Sequence, residues 1–187
     1  MADDPATIFT IGHSTRALEE FIRILRAYGI ARLVDVRTVP RSARNPQFNR
    51  ESLPAALAAE GIIYLHLPEL GGFRRALPDS INTGWRNASF RGFADYMQTD
   101  LFRDGLQTLI GIAEPGKTAV MCAEAVPWRC HRSLIGDALT ARGIPVVDIL
   151  AEAHSQPHKL TPFASVEGTR VTYPNPASPE GPGKFAV

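Results

Sequence analysis

Residues 118–122 read TAVMC, a short apolar run with no alternation of apolar and polar positions. A strand with one wet face alternates; a strand covered on both faces does not. This run therefore predicts a central strand of a parallel sheet, and a parallel sheet needs crossover helices between its strands. The rest of the chain supplies them. Residues 7–11 predict a first strand, 32–36 a second, 62–67 a third and 145–150 a fifth, with 118–122 as the fourth. Between them, Leu18, Phe21, Ile22 and Leu25 recur at helical spacing, with Glu19 and Glu20 where a helix N-terminus favours acids and Gly29 as a stop. Residues 52–60, ended by Gly61, and 133–142 predict further helices, and 93–98 with 101–112 one broken helical element. Residues 68–92 show few regular signals, and a loop of that length is usually functional or hides an element.

The expected fold is α/β: a single domain with a mostly parallel sheet of about five strands and helices on both faces. Its 187 residues suit one hydrophobic core. The domain is placed at residues 1–154, followed by a Pro-rich C-terminal tail, 155–187. The tail holds Pro157, Pro162, Pro174, Pro176, Pro179 and Pro182 and is expected to wrap or be partly disordered, with one late strand near 169–173. No apolar run approaches the roughly 18 residues of a membrane span, and the N-terminus shows no basic region followed by an apolar stretch. Two cysteines make no disulfide framework. The expectation is a cytoplasmic protein without a membrane partner. A net charge of +1 announces no nucleic-acid binder, but arginines cluster locally. Arg37, Arg41, Arg44 and Arg50 share one acid-free stretch; Arg74, Arg75, Arg86 and Arg91 are interleaved with Phe73, Trp85, Phe90 and Phe93. These stretches read either as solvated loops or as a basic, partly aromatic rim around a pocket.

Parallel strands end on one edge of the sheet, where open α/β folds bind ligands. Three expected strands end in chemically capable residues: Gly12-His13-Ser14, Asp35-Val36-Arg37 and Cys122-Ala123-Glu124. Arg129, Cys130, His131 and Arg132 follow just before the helical stretch at 133–142. Asp35 and Arg37 lie on one face of their strand, so Asp35 is either a catalytic carboxylate or half of a structural pair with Arg37 or His13. Ser14 or Thr15 reads more safely as a helix N-cap than as a nucleophile. Cys122 ends an apolar strand near Glu124, and both features disfavour a thiolate. Cys130 sits among Arg129, His131 and Arg132 at a helix start, and all of these favour one. Cys130 is thus the better expected nucleophile, with a core role the plain alternative for either cysteine. No CxxC pair exists, and zinc through Cys122, Cys130 and His13 has poor spacing, so neither a metal nor another cofactor is expected. His66, His154 and His158 show no ligand spacing and read as ordinary residues. Arg129 and Arg132 at a helix start suit an anion, and Arg37 and Arg41 could join them; surface salt bridges are the alternative.

The motifs TIGHSTR, LVDVRTVPRSARNPQFN, GIIYLHLPELGG, FADYM and MCAEAVPWRCHRSLIGDAL closely resemble the bacterial and archaeal family known as domain of unknown function 488. The resemblance spans residues 7–150 and implies an α/β domain with no settled activity. It places family residues at Gly12, His13, Ser14, Asp35, Arg37, Pro40, Cys122, Glu124, Cys130, His131 and Arg132. VDVR, and Cys122 after an apolar strand, are similar more weakly to rhodanese-type sulfurtransferases. There a cysteine begins a tight loop of backbone donors; here Glu124, Pro127 and Trp128 occupy a longer one.

The leading expectation is an enzyme acting on a small phosphate-bearing ligand, a nucleotide or nucleic-acid end. Arg37, Arg41, Arg129 and Arg132 would hold the anion, with Glu124 or His13 as acid or base and a cysteine as nucleophile or wall. The alternatives are a non-catalytic nucleic-acid-binding module built on the Arg/aromatic loops and a rhodanese-like sulfurtransferase.

Overall fold

Successive side chains of the TAVMC strand point to opposite faces, and both faces are covered. Ala119 and Met121 pack with Leu33, Ile11 and Ile149, whereas Val120 and Cys122 pack with Val34 and Val36. The computed structural model describes residues 6–175. Its elements run β1 (Ile8–Gly12), α1 (Leu18–Ala27), β2 (Arg32–Asp35), α2 (Leu53–Ala59) and β3 (Ile63–His66). Then come α3 (Ala88–Tyr96), α4 (Asp100–Ala113), β4 (Thr118–Cys122), α5 (Arg132–Thr140) and β5 (Val146–Ala151). Three short strands close the described chain: β6 (His154–Pro157), β7 (Ser165–Glu167) and β8 (Arg170–Thr172).

Six strands form one sheet in the order β3-β2-β4-β1-β5-β6, parallel except for β6, which runs antiparallel to β5. The chain is a single α/β domain, with α1 and α2 covering one face through Phe21, Leu25, Leu53 and Leu57. Helices α3, α4 and α5 cover the other through Phe93, Phe102, Leu106, Leu134 and Ala138. Among the described residues, no helix is long and apolar enough to cross a membrane.

Three details at the helices depart from the sequence reading. Neither Ser14 nor Thr15 caps α1; the cap position is Ala17, which makes no side-chain cap hydrogen bond. Ser14 instead adopts a left-handed φ of 52°, uncommon outside glycine. The loop before α3 is shorter than expected, because α3 starts at Ala88 with Asn87 accepting from the Ser89 and Phe90 amides. Gly92 obscured that helix: it weakens the propensity, yet a Cβ there would strike the backbone of Arg74, Arg75 and Ala76. Thr99 caps α4 and separates it from α3, so the broken element is two helices.

The sheet has a sixth strand beyond the expected five. Pro157 sits on this edge strand opposite Val147, where a missing amide is tolerated. β7 and β8 form a hairpin where one late strand was expected, and Val171 and Tyr173 are buried behind it. Pro176, Pro179 and Pro182 lie outside the described residues.

A buried polar cluster fastens this C-terminal part to the sheet. The His158 ring lies between Asp137 of α5 (3.0 Å) and Asp148 of β5 (3.1 Å). Thr161 and Tyr173 hydroxyls also donate to Asp137, and Thr10 donates to Asp148. Burial opposes a charge on His158, but the hydrogen bonds and charges of the two carboxylates outweigh it and raise its pKa to about 9. Sequence reading passed over His158 as ordinary. Asp148, a carboxylate within an apolar strand, was the signal that a buried partner exists.

Candidate functional site

The first three reactive strand ends fall side by side because β4 lies between β2 and β1. Gly12 is opposite Cys122, and Asp35 opposite Met121. Backbone hydrogen bonds extend this register past the strands, from His13 N to Cys122 O (3.0 Å), Ser14 N to Ala123 O (2.9 Å) and Val36 N to Met121 O (3.0 Å). From β1 the chain crosses toward β2 and β3; from β4 it crosses the other way toward β5. The crevice between β1 and β4 is therefore a topological switch point. A pocket of about 820 Å³ opens there, lined by His13, Ser14, Arg37, Arg41, Cys122, Glu124, Arg129, Cys130 and His131. Asp35 and Arg132 stand behind these residues, fully buried.

Asp35 is saturated. Arg37 donates to it from the backbone amide (3.0 Å), from Nε (2.9 Å) and from Nη2 (2.6 Å), and Tyr64 Oη donates at 2.7 Å. Burial and the neighbouring Asp35 charge push the Tyr64 hydroxyl upward, which keeps it a donor. Arg37 also donates to Phe48 O (2.7 Å), and its Nη1 lies 3.2 Å from His13 Nε2. Since a guanidinium only donates, His13 Nε2 must accept, and Nδ1–H must donate to Ser14 O at 2.8 Å. Burial, opposed by that carbonyl and reinforced by Arg37, lowers His13 to about 4. The imidazole is neutral, stacked on Phe48 at 4.3 Å, with both nitrogens engaged. Arg37, His13 and Asp35 thus form a rigid wall, and Tyr64 and Phe48 are members that sequence reading missed.

The Arg132 charge that the sequence places next to Cys130 falls on Cys122 in space. Helix α5 turns Arg132 inward, and its Nη1 lies 2.7 Å from Cys122 Sγ. The same guanidinium donates to the carbonyls of Glu124 and Ala125, while Nε has no hydrogen-bond partner. No carboxylate lies within ion-pair distance of it among the described residues. Burial, opposed by the more distant Asp148 charge, lowers Arg132 to about 10, so it remains a cation at neutral pH. Glu124 brings its carbonyl rather than its carboxylate to Arg132; its side chain lies on the exposed pocket wall. Cys122 and Cys130 are paired through their sulfurs, with Cα atoms 7.4 Å apart. Cys130 Sγ lies 3.6 Å from His131 Nδ1. Burial lowers His131 to about 4; the carbonyls of Val36 and Leu70 oppose this, though neither reaches hydrogen-bond geometry at Nε2. Arg132 therefore acts on Cys122, and Cys130 faces a neutral ring.

Two glycines make this packing possible. A Cβ at Gly12 would collide with the Glu124 carbonyl and crowd Arg132, and one at Gly72 would run into the His131 ring. The arginines near the pocket divide. Arg41 and Arg129 are exposed on the pocket wall, with no side-chain hydrogen bond or ion pair among the described residues. Arg74 folds over Tyr96 at 3.7 Å and onto the Gly71 carbonyl, and Arg91 is tied to Trp85 O. Trp85 itself packs among Phe90, Phe163 and Tyr173, and Phe90 and the 81% exposed Phe73 line the pocket.

The family described as Domain of unknown function DUF488 matches residues 17–139 of this chain. Neither the curated proteins nor the solved structures contain a match to it.

Proposed function

The chain belongs to the DUF488 family, whose name carries no activity, and from the site alone we propose that it is an enzyme acting on a phosphate-bearing ligand, a nucleotide or nucleic-acid end. One observation carries this reading. Arg41 and Arg129 reach the same pocket as exposed guanidiniums with no protein partner among the described residues, while the buried arginines nearby are committed. A guanidinium fork pairs with phosphate oxygens through charge-assisted hydrogen bonds. Ser14, Ser42, Asn45, Asn87 and Ser89 add polar donors to the same lining. Glu124, exposed on that wall, is the acid or base; His13, with both nitrogens engaged, orients Arg37 rather than moving a proton.

The test is binding by calorimetry and thermal shift with inorganic pyrophosphate, a nucleoside triphosphate, and a short oligonucleotide with and without a 5′-phosphate. Arg41→Ala and Arg129→Ala should each weaken binding about tenfold, the value of one charge-assisted contact. Glu124→Gln should bind and lose turnover. Absence of binding to every phosphate compound would refute the reading. Oligonucleotide binding that ignores the 5′-phosphate, falls steeply with salt and depends on Arg75 and Arg86 would favour the non-catalytic nucleic-acid module.

A further inference from the structure

A buried cation needs an anion. The Arg132 side chain crosses the core beneath the pocket with 0% exposure and an unsatisfied Nε. The two acids whose charges reach it do not pair with it: Asp148 is buried and accepts from Thr10 and His158, and Glu124 is exposed on the pocket wall. What the guanidinium touches is one sulfur, Cys122 Sγ, at 2.7 Å, together with two backbone carbonyls. The other sulfur, Cys130 Sγ, is paired with it and lies beside the neutral His131 ring. Both cysteines line the pocket.

We propose that Cys122 and Cys130 form a reversible dithiol–disulfide couple in the pocket wall, with Arg132 as the counter-ion that holds Cys122 as a thiolate in the reduced form. The asymmetry sets the direction of exchange. A low-molecular-weight thiol, as its thiolate, attacks Cys130 Sγ; the S–S bond breaks and its electron pair leaves on Cys122, facing Arg132. A second small thiolate attacks the mixed disulfide, and Cys130 leaves and takes up a proton. The net step consumes the protein disulfide and two small thiols. It yields the Cys122 thiolate, the Cys130 thiol, one small disulfide and one proton. Arg132 is a positioning residue here, because it acts through Cys122. The couple is independent of the phosphate reading, and the two are measured separately.

The experiment equilibrates the full chain in mixtures of reduced and oxidised glutathione, quenches with acid, alkylates, and counts labels on each cysteine by mass spectrometry. A single two-electron transition between disulfide and dithiol is expected. Arg132→Met removes the hub of this packing and risks misfolding, so single-cysteine variants carry the second readout, thiolate absorbance at 240 nm against pH. In Cys130→Ala the remaining Cys122 should show at pH 7 about ten times the thiolate fraction of a free cysteine, whose pKa is about 8.5. In Cys122→Ala the remaining Cys130 should titrate at or above that free value. A chain that forms no disulfide at any glutathione ratio would overturn the proposal. So would a Cys122 that ionises no more readily than Cys130.

Discussion

Stability of this protein should peak near pH 6.5 and fall on the alkaline side because of one histidine, His158. Its folded pKa is raised from 6.5 to about 9, because the hydrogen bonds and charges of Asp137 and Asp148 overcome the opposing burial. Between those two values the native state holds a proton that the unfolded chain has released, so stability must decline as pH rises. The stabilisation is complete below pH 6.5 and gone above about pH 9. At about 1.4 kcal/mol per pH unit, this interval makes His158 worth about 3 kcal/mol. His13 and His131 act in the opposite sense. Burial lowers each to about 4, so they disfavour the folded state as pH drops from 6.5 toward 4. The assay is urea unfolding from pH 5 to pH 9.5, on the wild type and on His158→Gln. The wild-type midpoint should fall by about 1–3 M urea from pH 6.5 to pH 9, given the usual urea slopes. His158→Gln should be less stable at pH 6.5 and nearly flat above it, with the acid limb retained. A wild-type midpoint that does not move between pH 6.5 and 9, or an equal fall in the variant, would refute the reasoning.

Two glycines should answer the same substitution with opposite signs. Gly12→Ala drives a methyl into the Glu124 carbonyl and should cost about 3 kcal/mol or more in denaturant melts, whereas Gly111→Ala, exposed in α4 with nothing within 4 Å, should gain about 0.5–1 kcal/mol. Asp35→Asn leaves the buried Arg37 without its counter-charge and should cost about 3–5 kcal/mol by urea unfolding. A loss under 1 kcal/mol in that variant would mean Arg37 finds another partner.

Which strands pair with which faces, and where the reactive residues gather, divide cleanly between local and distant causes. TAVMC, the 3.6-residue spacing of Leu18, Phe21, Ile22 and Leu25, and the stops at Gly29 and Gly61 act over a few residues, so the central strands and first helices were legible. So was the edge where Gly12, Asp35 and Cys122 converge, because parallel strands end together. Local pattern showed the end of α3 but not its start at Ala88, because Gly92 serves a close approach by the segment at Arg74, eighteen residues earlier. Nor could it show that His158 bridges two carboxylates on α5 and β5. The cysteines illustrate the limit best. Sequence neighbours put the positive charges beside Cys130, but the phase of α5 against β4 carries Arg132 to Cys122. A charge's influence depends on its distance and burial in space, and tertiary packing alone decided both.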